Sequence, residues 1–220
     1  MSEPYYSDES VTLFHGDCLE VDEWLAADVL VTDPPYGIDY RSHTMYRSPR
    51  LRGQARVDRS SIASDDDASV RDATLARWGS GPAAIFGSWR IPRPLGTRHR
   101  LIWHKQGRTP GPVTAPFYPV DEEIYIIGSW HTSPPVPNVM TTREARHLEP
   151  GRWGHPTPKP VQLMERLITK CPPGVIADPF AGSGSTLVAA RNLGRRAIGV
   201  ELEERYCEII ARRLSQGVLL

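Results

Sequence analysis

Short apolar runs rich in β-branched residues alternate with amphipathic segments along this chain, a pattern typical of alternating strands and helices. Strands are predicted at 11–15, 29–33, 82–88, 99–105, 122–128, 174–180 and 196–201. Helices are predicted at 19–26, at 68–78, from Pro160 to the prolines at 172–173, at 185–193 and at 203–214. The last four elements form a β-α-β-α unit, which predicts an α/β fold with parallel strands and right-handed crossovers.

Three segments lack this periodicity. Residues 1–10 are interpreted as a loose polar tail, and 130–153 as an irregular segment within the region 129–156. Residues 37–67 are rich in Arg, Ser and Asp, and they are interpreted as a mobile loop. Loops of such length in a compact domain are usually functional or disordered. The whole chain, 1–220, has the length of a single domain with a well-buried core.

The charge of the chain is balanced overall but unevenly distributed. Its 26 basic and 26 acidic residues cancel, so net charge alone does not indicate a nucleic-acid partner. Residues 1–40 contain ten acidic residues and no Lys or Arg, whereas 41–59 contain six Arg. A second basic cluster consists of Arg90, Arg93, Arg98, Arg100, Lys105 and Arg108. Such clusters are commonly solvated loops, but two of them beside one cleft would contact phosphates.

The cysteines and the N-terminus indicate the cellular setting. The three cysteines are widely spaced, with no CxxC pair, a pattern that favours a reducing environment and indicates no metal site. The N-terminal residues are acidic and polar, unlike a signal peptide, and no apolar run is long enough to span a bilayer. A cytoplasmic protein without a membrane partner is therefore expected.

Candidate binding chemistry follows the strand at 174–180, in "DPFAGSGST" at 178–186. Gly182 and Gly184 allow a tight turn that brings backbone N–H groups and a helix N-terminus close to a ligand. Glu201, near the end of the next strand, could accept hydrogen bonds from ribose hydroxyls. Alternatively, the glycines only begin a helix and Glu201 caps the last one. No P-loop lysine follows, and Asp178 would repel a polyphosphate but attract a cationic amino group.

Three motifs occur together: "DPPY" at 33–36, "HPTPKP" at 155–160 and "DPFAGSGST" at 178–186. With them the chain resembles the amino-group DNA methyltransferases that use S-adenosylmethionine. The tetrapeptide precedes the glycine turn, as in the circularly permuted β class of that family. The resemblance implies a Rossmann-like class I methyltransferase fold, with a seven-stranded, mostly parallel sheet and one antiparallel strand. Its first four strands would be 175–180, 196–201, 11–15 and 28–33.

The resemblance also implies how S-adenosylmethionine is bound. The turn after Asp178 would hold the methionine part, and Asp178 its ammonium. Glu201 would bind the ribose, and Asp17 the adenine amino group, although Asp17 serves equally well as an N-cap for a helix from Leu19. The implied cofactor-binding residues are Asp17, Cys18, Thr157, Lys159, Asp178, Pro179, Phe180, Ala181, Gly182, Ser183, Gly184, Ser185, Thr186 and Glu201.

The tetrapeptide would carry the chemistry on a base of double-stranded DNA. An exocyclic amine is a poor nucleophile, because its lone pair is delocalised into the ring. The Asp33 carboxylate and the Pro34 carbonyl would each accept one N–H and stabilise the developing positive charge. Pro35 would keep the turn rigid, and Tyr36 would stack on a base flipped out of the duplex. None of the cysteines fits the nucleophile of a cytosine-C5 enzyme.

Several alternatives stay open at this stage. The aspartate in "DPPY" favours adenine N6, whereas a serine there goes more often with cytosine N4. An RNA or protein-glutamine methyltransferase, or a non-enzymatic DNA-binding module on the same fold, would share parts of the pattern. Only 129–156, as a short target-recognition region, and the loop at 37–67 are available for target recognition. A short or relaxed recognition sequence, or a homodimer that shares the task, is therefore expected.

Overall fold

A computed structural model describes residues 3–35, 68–106, 116–117, 120–130, 134–143 and 158–216. Its strands are β1 Tyr6–Ser7, β2 Val11–His15, β3 Val29–Thr32, β4 Ala83–Gly87, β5 Thr97–Gln106, β6 Asp121–Ile127, β7 Val139–Arg143, β8 Ile176–Asp178 and β9 Ala197–Glu201. Its α-helices are α1 Ser69–Trp78, α2 Val161–Ile168, α3 Ser185–Asn192 and α4 Glu204–Ser215. None of the helices in this part of the chain has the length and apolarity to cross a membrane.

The strands form one sheet in the order β1-β2-β9-β8-β3-β4-β6-β5-β7. From β2 to β4 all neighbours are parallel, and β6 runs antiparallel to both β4 and β5. The mostly parallel α/β sheet is thus confirmed, but it has nine strands rather than seven. The two additional strands, β1 and β7, lie at the edges.

The additional strands lie in segments that the sequence assigned to irregular structure. β1 has only two residues, too few for any hydrophobic periodicity, and it pairs antiparallel with β2. β7 pairs in parallel with β5, within the region 129–156. Val139 is 49% exposed, so β7 lacks the apolar run of a central strand. Each prediction of irregular structure was wrong at these residues, because neither edge strand has enough apolar residues to show a hydrophobic periodicity.

The permuted strand order is present in the centre of the sheet. β8 pairs with β9 on one side and with β3 on the other, and β9 in turn pairs with β2. The segments predicted as first, second, third and fourth strands therefore stand in the spatial order third, second, first, fourth. Because all four are parallel, their carboxyl ends meet at one edge, where open α/β sheets bind ligands.

Helices cover both faces of the sheet. On one face, α3 and α4 contribute Leu187 and Ile210 to a buried cluster, and on the other Trp24 lies at the centre of a second cluster. Adjacent residues of β3 serve opposite faces: Val31 belongs to the first cluster and Leu30 to the second. This alternation, with both sides apolar, is typical of a fully buried parallel strand.

The predicted helix at 19–26 is wrong. The segment forms a turn followed by a 3-10 helix, Glu23–Ala26. Trp24 is fully buried, and its indole N–H donates to the Cys18 carbonyl at 3.0 Å. The Cys18 carbonyl is thus engaged by a side chain, whereas in a regular α-helix it would accept a backbone N–H four residues later.

Candidate active site

Four acidic residues stand at the carboxyl ends of four adjacent parallel strands. In spatial order these are Asp17 after β2, Glu201 at the end of β9, Asp178 at the end of β8 and Asp33 after β3. Sequence positions as far apart as 33 and 178 become neighbours because their strands pair. The predicted site residues of these four strands therefore lie along a single edge.

Asp178 is the most deeply buried of these carboxylates, with 2% of its surface exposed. Its Oδ1 accepts hydrogen bonds from the Thr32 hydroxyl at 2.7 Å and from the Phe180 N–H at 3.2 Å. Burial raises the pKa of Asp178 to about 6, hydrogen bonds from Thr186 and Thr32 limit the increase, and the nearby Asp33 carboxylate adds to it. Asp178 is thus a carboxylate that a bound cation would stabilise in its ionised form.

Glu201 is also buried, and its two oxygens organise the backbone around it. Oε2 accepts the Gly182 N–H at 2.7 Å, and Oε1 accepts the Glu203 N–H at 2.8 Å. Burial raises the pKa of Glu201 to about 7, against the effect of these two hydrogen bonds. The alternative that Glu201 caps the last helix is partly correct, since Glu203 directly precedes α4. The contact with Gly182 joins it to the glycine turn as well.

The glycine turn has the expected backbone conformation. Gly182 and Gly184 have φ angles of 52° and 79°, and Gly184 directly precedes α3. A Cβ on Gly184 would lie 2.9 Å from Ile210, so the turn also needs glycine for close packing against α4. The other predicted members of the turn follow β8 directly and are largely buried. These are Pro179, Phe180, Ala181, Ser183, Ser185 and Thr186.

Asp17 and Cys18 form the turn after β2. The Asp17 carboxylate accepts the Leu19 N–H at 2.8 Å, which is the capping role, although it caps a turn and not an α-helix. Cys18 is buried, with its sulfur 3.6 Å from the Thr74 hydroxyl, and burial raises the pKa of its thiol to about 11. Because its side chain serves the core, Cys18 is not among the cofactor-binding residues that we propose.

Lys159 differs most from its expected role. Its ammonium donates to Asp33 Oδ2 and lies 3.4 Å from Glu122 Oε2. Glu122 also pairs with Lys105. The predicted cofactor lysine thus contacts the predicted catalytic carboxylate, and Lys159 is not among the cofactor-binding residues that we propose.

Glu122 and Lys105 were missed as site residues. Their positions in the sequence could have indicated them, because each is a charged residue at the end of an apolar strand. Lys105 is at the carboxyl end of β5 and Glu122 at the amino end of the antiparallel β6, so both reach the same edge.

Some predicted residues lie outside the described part of the chain. These are Tyr36 and Thr157, together with the loop at 37–67 and residues 131–133 and 144–156 of the region 129–156. Pro34, which follows Asp33, is buried, and Pro35 is partly exposed. Among the residues that are described, no group of three or more His, Cys, Asp or Glu side chains is arranged to hold a metal ion.

The second basic cluster divides between surface and interior. Arg90, Arg93, Arg98 and Arg100 are exposed. Lys105 is 8% exposed and belongs to the buried ion pairs, so assigning it to a solvated basic cluster was wrong. Arg108 lies outside the described residues.

Comparison with known proteins identifies relatives over nearly the whole chain. A model of the DNA methylase family (N6_N4_Mtase) matches residues 95–212, more than half of the chain. The Type II methyltransferase M.ScaI of Streptomyces caespitosus is 27% identical over 98% of this chain and 84% of its own length.

Two solved structures share the fold. The M1.HpyAVI–SAM complex superposes with a TM-score of 0.62 at 22% identity, covering 92% of this chain and 99% of that one. The PvuII DNA methyltransferase, described as cytosine-N4-specific, gives a TM-score of 0.65 at 15% identity, covering 99% of this chain and 90% of that one. At these identities the likeness shows the fold alone.

Proposed function

Because the chain belongs to the DNA methylase family, we propose that it transfers a methyl group from S-adenosylmethionine to the N6 amine of adenine in double-stranded DNA. The observation that carries the proposal is the position of Asp33 beside Asp178, at the carboxyl ends of paired strands β3 and β8. One carboxylate would face the amine and the other the methyl donor. Methyl donor and acceptor would meet between them.

The chemistry of the buried carboxylates fits S-adenosylmethionine. This cofactor carries a cationic ammonium and a cationic sulfonium, and when bound it supplies an electrophilic methyl group. Asp178 is buried with a raised pKa, so pairing with an ammonium would offset its desolvation. Each Glu201 oxygen accepts one backbone N–H and has a further lone pair for a ribose hydroxyl. The fold neighbour M1.HpyAVI is itself described as a complex with SAM.

The residues proposed to hold the cofactor are those of one continuous edge. Asp17 would accept a hydrogen bond from the adenine amino group, since a carboxylate that caps one N–H retains acceptor capacity. Thr157, which lies outside the described residues, is also part of the proposed set. The remaining members are the two buried acids and the residues of the turn: Asp178, Pro179, Phe180, Ala181, Gly182, Ser183, Gly184, Ser185, Thr186 and Glu201.

Asp33 and the Pro34 carbonyl are proposed to turn the target amine. Each would accept one N–H, which directs the nitrogen lone pair away from the ring plane and stabilises positive charge as it develops. Asp33 can accept this hydrogen bond while paired with Lys159, because a carboxylate offers about four lone-pair directions. Pro35 limits the rotation of the turn, and Tyr36 would stack on the flipped base.

An exposed segment beside the site is proposed to contact the duplex. Residues 88–96 leave the carboxyl end of β4, whose neighbour β3 leads into Asp33. Trp89 is 73% exposed, Arg90 lies 5.7 Å from its ring, and Arg93 is exposed too. Buried Arg71 of α1 donates to the Pro92 carbonyl at 3.0 Å and holds the segment in place. Exposed arginines and an aromatic ring are the groups that bind phosphates and unstacked bases.

A cytoplasmic location, a homodimer and a short recognition sequence remain part of the proposal. The three cysteines are buried and unpaired, which supports a reducing environment. Recognition by 37–67 and 129–156 is proposed from their length and position in the sequence only.

The function is tested by incubating the protein with S-adenosylmethionine and duplex DNA, and then separating the digested nucleosides by mass spectrometry. We expect N6-methyladenine. N4-methylcytosine would instead support the cytosine alternative. The fold neighbour from PvuII is described as specific for cytosine N4. Parallel incubations with RNA and with protein control for the other substrate classes, and methylation of RNA alone would refute the proposal.

Replacing Asp33 should separate chemistry from binding. Asp33→Ala removes the acceptor of the amine, so kcat should fall about 100-fold or more, the scale for a positioned polar group at a reacting centre. The Kd for S-adenosylmethionine should stay within about threefold of the wild-type value, because Asp33 does not belong to the proposed cofactor contacts. Asp33→Asn, which retains one acceptor oxygen, should lose less. Wild-type turnover in the Ala variant would contradict the catalytic role.

Cofactor affinity should depend on pH through Asp178. Below its pKa of about 6 the carboxyl is protonated and cannot pair with an ammonium, so affinity should rise from pH 5 to pH 7.5 by about tenfold. Glu201, with a pKa of about 7, contributes in the same direction. Calorimetric titration at several pH values measures the effect.

Asp178→Asn is the matched control for that titration. It keeps the acceptor oxygen for Thr32 and Phe180 but has no charge. Its affinity should be low at every pH, and the part of the pH dependence due to Asp178 should disappear. An Asn variant that binds like the wild type would remove Asp178 from the site.

The exposed arginines should account for part of the DNA affinity. Arg90→Ala/Arg93→Ala should weaken binding of every duplex sequence and reduce the slope of log K against log salt by about 1 for each phosphate that is no longer neutralised. Fluorescence anisotropy between low and moderate salt measures this slope. Arg212→Ala, which removes an exposed arginine from α4, is the control. An unchanged slope in the double variant would exclude this surface.

A further inference from the structure

Four side chains of alternating charge form a continuous chain that ends at Asp33. Lys159 donates to Asp33 Oδ2, and the same ammonium lies 3.4 Å from Glu122 Oε2. Glu122 Oε1 accepts a hydrogen bond from Lys105. The chain of contacts thus runs from Asp33 through Lys159 and Glu122 to Lys105, and we call it the ion chain.

The ion chain is shielded from water, most strongly at its lysines. The side chains of Lys159 and Lys105 are 8% and 9% exposed, and those of Glu122 and Asp33 are 20% and 23% exposed. Isolated charges this deep in a protein are costly, so each must be offset by a partner of opposite sign.

Each of the two lysine ammonium groups lies over the face of an aromatic ring. The Lys159 ammonium lies 5.0 Å from the centre of the Phe86 ring, and the Lys105 ammonium lies 4.7 Å from that of Trp103. The two rings contact each other edge to face, with centres 6.3 Å apart. The Trp103 indole N–H is itself held by the Thr142 hydroxyl at 2.8 Å. Each ammonium is therefore fixed between a carboxylate and a rigid ring face.

The ion chain joins four separate elements. Asp33 follows β3, Glu122 is in β6, Lys105 is in β5, and Lys159 directly precedes Pro160, the residue before α2. The strand pairings β3–β4, β4–β6 and β6–β5 bring these side chains together. The sheet thus sets the positions of Asp33, Glu122 and Lys105, and Lys159 reaches them from the segment that precedes α2.

Lys159 and Glu122 both favour their ionised forms. Burial acts to lower the pKa of Lys159, but the carboxylates of Asp33 and Glu122 outweigh it and raise the pKa. Burial acts to raise the pKa of Glu122, but Lys159 and Lys105 outweigh it and lower the pKa. The central pair of the ion chain, Lys159 and Glu122, is thus charged at neutral pH.

We propose that Glu122 is a positioning residue for methyl transfer, which holds Lys159 so that Asp33 keeps its orientation and its net negative potential toward the target amine. The proposal rests on the proposed catalytic role of Asp33. An Asp33–Lys159 pair alone is neutral overall, and a neutral pair stabilises a developing cation poorly. Glu122 divides the Lys159 charge between two carboxylates, so Lys159 neutralises Asp33 less completely, while Lys105 pairs with Glu122 on its other oxygen.

The test compares Glu122→Gln with the wild type in full DNA methylation kinetics. The substitution keeps the size of the side chain and removes its charge. We expect kcat to fall at least about tenfold, because Lys159 then no longer divides its charge between Asp33 and a second carboxylate. The Kd for S-adenosylmethionine, measured by calorimetry, should remain within about twofold, because Glu122 does not contact the proposed cofactor residues. Glu122→Asp retains the charge and should recover part of the turnover.

Two further variants complete the design. Asp121→Asn removes an exposed carboxylate from the adjacent position of β6, and it should leave both constants unchanged. If Glu122→Gln does not fold, Lys105→Met/Glu122→Gln removes one charge of each sign and keeps the buried charges balanced. The double variant should show the same loss of kcat at an unchanged Kd.

The outcomes separate this inference from the proposed function. Turnover of a folded Glu122→Gln protein within twofold of the wild type would overturn the positioning role. Equal losses of cofactor binding and turnover would also overturn it, since they indicate a structural role only. A wild-type protein that binds S-adenosylmethionine but methylates no DNA would instead contradict the proposed function itself.

Discussion

Keeping carboxylates ionised away from water is the constraint on which this sheet edge depends. Asp178 and Glu201 are almost inaccessible, and burial raises their pKa values to about 6 and about 7. Hydroxyl and backbone N–H donors offset part of that cost, but none of them carries a positive charge. The binding half of the site is therefore best completed by a cationic ligand. This electrostatic demand, more than the glycine turn, is what makes S-adenosylmethionine suitable.

Asp33 meets the same constraint in the opposite way. Its carboxylate already has a protein cation, Lys159, and that cation is in turn shared with Glu122. One edge thus holds two kinds of acid: Asp178, which suits a charged ligand, and Asp33, which has a protein cation as a shared partner before any ligand binds. The division matches the two tasks of the proposed reaction. One acid binds a permanent cation, and the other responds to a charge that appears only in the transition state.

The sheet is what brings these acids together. Asp33 and Asp178 are far apart in the chain, yet β3 and β8 are paired in the centre of the sheet. Parallel pairing puts the carboxyl ends of both strands on the same edge, and burial on both faces keeps their register unambiguous. The antiparallel β6 adds Glu122 to this edge from its amino end. A reversed strand thus contributes to a site that otherwise uses carboxyl ends only.

The sequence alone determined the central architecture, because buried strands and amphipathic helices have strong periodicities and the motifs at 33–36 and 178–186 mark strand ends. It also indicated Asp33, Asp178 and Glu201, since an acid directly after an apolar strand is conspicuous. It did not indicate the edge strands β1 and β7, whose few apolar residues show no periodicity and whose pairing is visible only in the sheet. Only the tertiary structure decided which charges are partners. Lys159 could not be assigned to Asp33 from its own motif, because the two residues are 126 positions apart in the chain and meet only in the tertiary structure.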